Sequence, residues 1–217
     1  MTEKQLKRMG LFTRLSVCKD IVLAVGKFVV GIFTQSIFLF INSFFSVGMG
    51  LARFLCLKSI HQSRKVQCSC YRTVGVLVLI SGLVYMLYSV RLFIVGSTTR
   101  YPMKIAIAIA VFTFTEIILN IKGSNTARKS KAPIPEAIRL TNLASNLTCL
   151  VLTQIAIISF FYTGDASHIN GLTGIVFGGG AASIGVYMML HTRWLDKHAH
   201  EIFENSPIVS LPNESKR

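Results

Sequence analysis

Two long apolar runs meet at Thr34-Gln35-Ser36, an uncharged break inside residues 16–57, and this junction constrains the chain more than any other feature. A helix needs about 20 apolar residues to cross the hydrocarbon layer. The two runs supply that length only if almost nothing is spent on the connection, so the stretch is a transmembrane helical hairpin with a tight turn at the membrane surface. Along the second run Asn42, Ser46, Gly50 and Arg53 recur at helical spacing, which gathers them on one face. An amide or guanidinium turned toward lipid loses its hydrogen bonds, so that face must meet protein or water.

Composition extends this reading to the whole chain. Of 217 residues, 52% are hydrophobic and only 15% charged, against about a quarter charged in a soluble domain. Six apolar segments, 17–34, 36–57, 73–95, 103–121, 140–162 and 171–190, predict an all-α membrane protein, a six-transmembrane-helix bundle. Residues 1–16 form an N-terminal segment and 191–217 a tail. Lys4, Lys7 and Arg8 ahead of an apolar run resemble a signal peptide, but Lys19 and Asp20 interrupt the run and no cleavage site follows, so it is read as the retained first span.

The net charge of +14 would suggest a nucleic-acid partner in a soluble protein. Topology accounts for it instead. Eighteen of the 23 Lys and Arg fall at the N-terminal end, in the second and fourth connections and in the tail; only Arg100 and Lys104 lie on the other side, with Lys27, Arg53 and Arg91 inside spans. The positive-inside rule then puts both termini in the cytoplasm of a plasma-membrane protein, with the lipid bilayer as partner and no nucleic acid. Five cysteines, 18, 56, 68, 70 and 149, do not make a disulfide framework. Cys68 and Cys70, with His61, fall in the basic second connection and read as free thiols beside a lone His; a structural zinc site wants four spaced ligands. His191, His198 and His200 read as part of a solvated tail. Gly174, Gly178, Ala182, Ala181 and Gly185 form small-residue tracks for close helix packing.

Polar faces on three spans mark a candidate transport path: Asn42 and Ser46 on the second, Glu116 on the fourth, and Asn142, Ser145 and Asn146 on the fifth. The stripes of the second and fifth spans are expected to face each other, bringing Asn42 and Ser46 near Ser145, Asn146 or Cys149. Glu116 is read as the only acidic residue in any of the six spans. Counting from the span ends at 1.5 Å per residue puts Arg53 roughly 6 Å and Glu116 roughly 7 Å from the cytoplasmic edge. An unpaired intramembrane charge costs about 2.5 to 3.5 kcal/mol, so an Arg53–Glu116 ion pair is expected, with Lys27 the competing partner for the acid.

The residues carry a family resemblance. Lys27, Gly31 and the segment QSIFLFINSFF resemble the first hairpin of the cation diffusion facilitators, membrane exporters of zinc and related metals, and YSVRLF, the fourth span, the basic linker and EAIRLTNLASNL follow the order and spacing of that family through the fifth. The resemblance covers roughly residues 15–190 and implies a cation-efflux-like bundle, with the first, second, fourth and fifth helices grouped and the third and sixth paired beside them. The family's intramembrane acid falls on Asn42, and its metal ligands fall on Phe45, Met49, Thr141 and Ser145. None of these four supplies a thiolate, imidazole or carboxylate. No metal site and no cofactor is expected, and only 27 residues follow Leu190, too few for the family's cytoplasmic metal-sensing domain.

Neither H-E-x-x-H nor G-x-S-x-G occurs, so an enzyme is not expected. Two functions stay open in equal measure. One is a transporter of a cation or small polar solute held by amide and hydroxyl oxygens, with Glu116 as the single charge. The other is a transport-inactive relative acting as a membrane scaffold or partner subunit, with a homodimer as one form it takes. Stripes that converge on a water-filled cavity favour the first; stripes that converge on each other favour the second.

Overall fold

In the computed structural model, which describes residues 3–60, 62–96, 101–127, 132–162 and 164–204, the chain forms six helices. They are α1 (Glu3–Thr34), α2 (Ile37–Ser59), α3 (Arg64–Val95), α4 (Met103–Ala127), α5 (Pro133–Phe161) and α6 (Ser167–Glu204). The tight turn after α1 is two residues long. Gln35 takes a positive φ of 49°, and the Ser36 amide donates back to the Gly31 carbonyl at 3.0 Å. Ser36 then caps α2 by accepting from the Leu39 amide. Its hydroxyl also meets the Tyr101 hydroxyl at 2.9 Å, which ties this turn to the connection before α4. Gly96, at φ 67°, terminates α3. Pro133 opens α5, where a missing N–H costs nothing.

Several helices outrun their apolar segments. α1 begins at Glu3 rather than near 17, α3 at Arg64 rather than 73, and α6 continues to Glu204 rather than stopping near 190. Polar residues with good helix propensity prolong a helix into water, and an apolar run marks only the part in lipid. Cys68 and Cys70 consequently lie on the first turns of α3, both buried, and not in a loop. His61 lies outside the described residues. His191 does not belong to a solvated tail either: it stacks on Tyr187 with ring centroids 5.4 Å apart and approaches Glu136 at 3.8 Å. The side chains of His198 and His200 are outside the described set.

Five helices are long and apolar enough to cross a membrane: α2, α3, α4, α5 and α6. The segment 17–34 of α1 carries Lys19, Asp20 and Lys27, three charges in one span length. Its other face is apolar and exposed, from Ile21, Val22 and Val25 through Phe28 and Val29 to Ile32 and Phe33. The result is an integral membrane helical bundle with an apolar outer surface.

The bundle has two halves. α3 and α6 make the most extensive interhelical contact, and they make it through small residues. A Cβ added at Gly82 would lie 2.6 Å from the Ala182 amide nitrogen, and one at Gly185 would lie 2.5 Å from the Leu79 nitrogen. The small-residue tracks of the sixth span therefore pack closely, as their spacing predicts, and do so against α3. In the other half α1 packs on α2 and α4 on α5, these pairs meeting through α2–α5 and α1–α4, and the halves are joined by broader contacts of α2 and α5 with α3 and of α5 with α6. The buried charged side chains among the described residues, Asp20, Arg53 and Glu116, meet where α1, α2, α4 and α5 come together.

Candidate functional site: a two-layer ionic core

The polar side chains of α1, α2, α4 and α5 sort into two layers set by helical spacing. Asp20 and Lys27 are seven residues apart on α1, and Ser46 and Arg53 are seven apart on α2, which runs the opposite way. Two helical turns up one helix are thus matched by two turns down the other, about 10 Å at 1.5 Å per residue. Asp20 meets Arg53 in one layer, and Lys27 meets Ser46 in the other. Gly50 permits the close approach of the helices, since a Cβ there would lie 3.2 Å from the Asp20 Cβ.

In the layer nearer the N-terminal end of α1, Arg53 is fully buried and all its nitrogens are engaged. Nη1 pairs with Asp20 Oδ2. Nε donates to Asn142 Oδ1 at 3.0 Å, and Nη2 donates to Asn120 Oδ1 at 3.1 Å. Lys19 donates to the same Asn120 oxygen at 2.8 Å and lies 3.2 Å from Asp20 Oδ1. Asn120 passes the network on by donating Nδ2 to Asn146 Oδ1 at 3.0 Å. Asn142 fits against Gly123 of α4, where a Cβ would stand 2.9 Å from its amide nitrogen. Four helices are pinned at one guanidinium.

In the second layer Lys27 is the centre. Its ammonium lies 3.2 Å from Glu116 Oε2 and donates to Ser46 Oγ at 2.8 Å. The other carboxylate oxygen of Glu116 accepts from Ser145 Oγ at 2.9 Å. Lys27 is about 10% exposed and Glu116 about 3%, so the pair is shielded from water, where a lone charge of either sign would be costly. One level further along, Thr153 donates to Thr113 at 3.0 Å, closing the α4–α5 seam.

The expected Arg53–Glu116 pair is therefore replaced by two others, Arg53–Asp20 and Lys27–Glu116. Two errors of depth explain the substitution. α4 runs on to Ala127, so Glu116 sits 11 residues from its end rather than five from Ile121, well beyond the level of Arg53 and level with Lys27. Asp20, read as an interruption of the first apolar run, lies inside the bundle at 2% exposure. Its seven-residue spacing to Lys27, mirrored by Ser46 and Arg53, is the signal that identifies the pairing in sequence.

The polar stripes of α2 and α5 do face a shared interior, through intermediaries. Ser46 reaches Ser145 by way of Lys27 and Glu116, and Arg53 reaches Asn142 directly. Asn42 is buried on α2 beside the Tyr85 hydroxyl, and among the described residues no hydrogen bond joins it to either layer. The four positions where the resemblance puts metal ligands serve other ends. Phe45 packs edge-on against Tyr85 with centroids 6.0 Å apart, Met49 is buried in the apolar core, and Thr141 bonds the Ala137 carbonyl of its own helix. Ser145 serves Glu116. Among the described residues no group of three or more His, Cys, Asp or Glu is gathered as a metal site. Compared with known protein families and with curated proteins, the chain matches none.

Proposed function

We propose that the chain is a transport-inactive membrane scaffold or partner subunit of cation-exporter-like architecture, in which the Lys27 ammonium permanently fills the place that a mobile cation would take. α1 is its sixth span, and both termini sit on the basic, cytoplasmic side. One observation carries this: both oxygens of Glu116 are engaged, one by Lys27 and one by Ser145. A tethered ammonium offers the Glu116 carboxylate and the Ser46 hydroxyl the same electrostatic partner as a monovalent ion, at no cost in translational entropy. The surrounding amides also spend their hydrogen bonds on one another, as Asn120 does with Asn146, so the stripes converge on each other.

Reconstitution tests this. Proteoliposomes of the intact chain should show no flux of zinc, manganese, sodium, potassium or protons above empty liposomes. Lys27→Ala should vacate a site beside Glu116 and make thermal stability depend on sodium or potassium relative to choline, which the parent chain should not. Ion flux in the parent chain that disappears in Glu116→Gln would overturn the scaffold assignment and make Glu116 a transport residue.

A further inference from the structure

At the end of the bundle where α1 enters and α4 leaves, a cavity of about 110 Å³ opens against the first ionic layer. Among the described residues its charged lining consists of Lys19, Arg53 and Lys122, with the hydroxyls of Thr13 and Ser16 beside them and no carboxylate. The network behind it is unbalanced in the same sense. Lys19, Lys27 and Arg53 supply three positive charges, and Asp20 and Glu116 supply two negative ones. One cation is left over in a region of low dielectric, where an uncompensated charge is expensive. Each nitrogen of Arg53 has a partner in Asp20, Asn120 or Asn142, while the Lys19 ammonium has three donors and gives two of them to Asn120 and Asp20, so Lys19 on the cavity wall has a donor to offer an anion.

We infer that this cavity binds a phosphate-bearing anion, which neutralises the surplus charge of the network through Lys19 and is held from the other side by Lys122. A phosphate oxygen offers several acceptors to converging N–H and O–H groups, and the cavity has room for a phosphate group with a few attached atoms. Leu15 and Leu119, both exposed on the outer surface, form part of its rim, so the anion arrives either as a lipid headgroup moving laterally or as a soluble phosphate. Basic pockets between membrane helices take headgroups by the same chemistry. The inference is independent of whether Lys27 replaces a mobile cation, because it concerns the other layer.

Thermal unfolding of the full chain in nanodiscs tests it in two arms. One compares phosphatidylcholine with phosphatidylcholine containing phosphatidylglycerol; the other titrates inorganic phosphate into pure phosphatidylcholine discs at constant ionic strength. A saturable rise of several degrees in either arm is expected, the first identifying a headgroup and the second a soluble anion. Lys122→Gln, at an exposed position on the cavity edge, should keep the fold and reduce the apparent affinity at least tenfold. Lys19→Gln should abolish the response where it folds. No saturable response in either arm overturns the inference, as does a response of undiminished affinity in Lys122→Gln.

Discussion

α3 and α6 touch through glycine and alanine, whereas α1, α2, α4 and α5 meet through charge. The first contact is steric. Gly82 and Gly185 bring backbones together so closely that a single methyl group would collide with the opposite chain. The second is electrostatic: Asp20, Lys27, Arg53 and Glu116 are each nearly dry and each depends on a partner of opposite sign. Packing of this kind resists any change of charge in the environment but tolerates no added volume. The ionic half fails instead when one charge is removed.

The largest expected effect breaks the ionic half. Asp20→Leu leaves the buried Arg53 guanidinium, and Lys19 with it, without a carboxylate, and it should cost about 3 to 5 kcal/mol, read as loss of monodisperse protein on size exclusion and a fall in Tm. The double variant Asp20→Leu with Arg53→Met should lose less than Asp20→Leu alone, because the fully buried guanidinium goes with the carboxylate and only Lys19, the more exposed cation, lacks an acid. In the steric half, Gly82→Ala should cost about 1 to 3 kcal/mol by overpacking. No change of salt or pH should restore it. A Gly82→Ala variant as stable as the parent would show that α3 and α6 are less tightly joined than described.

At the α1–α2 turn, Tyr101→Phe removes the hydroxyl that meets Ser36. A single buried hydrogen bond is worth about 1 kcal/mol, so a modest fall in Tm is expected. The smallest effect is expected at Asp165, an exposed residue before α6. Its carboxylate accepts from the Ser167 hydroxyl and, at 2.9 Å, from the Ser167 amide. The Ser167 hydroxyl, then the amide, hold the Asp165 carboxyl below its ordinary range. A lowered folded-state pKa contributes stability above the unfolded value and loses it as pH falls through the lower, folded value. Asp165→Ala should therefore lower Tm slightly at neutral pH and not at all in strong acid, which a pair of melting curves will check.

Much of the bundle is legible in the sequence, because apolar length and small-residue spacing report directly on what lipid and close packing demand. The hairpin turn at Gln35-Ser36, the helical segments and the close packing through Gly178, Ala182 and Gly185 follow from that physics, whereas α3 as the partner of α6 is an expectation of the resemblance alone. Helix ends are less legible, since Arg64 to Tyr71 and the stretch beyond Leu190 stay helical without staying apolar. The pairing of charges was lost with them. Depth counted from the end of an apolar run put Glu116 at the level of Arg53, and Asp20 reads only as an interruption of the first apolar run. Helical register would have been the better guide: Asp20 and Lys27 against Ser46 and Arg53 in an antiparallel hairpin.

Everything proposed about function turns on Lys27 being the fixed partner of Glu116. A double-mutant cycle measures this most directly: unfolding free energies in mixed micelles for the parent chain, Lys27→Met, Glu116→Gln and the double variant, with Arg53→Met and Glu116→Gln as the companion cycle. Neighbouring charges in one network couple by about 0.5 to 3 kcal/mol. The account predicts a Lys27–Glu116 coupling in the upper part of that range and a smaller one for Arg53–Glu116. A Lys27–Glu116 coupling near zero beside a large Arg53–Glu116 coupling would contradict it.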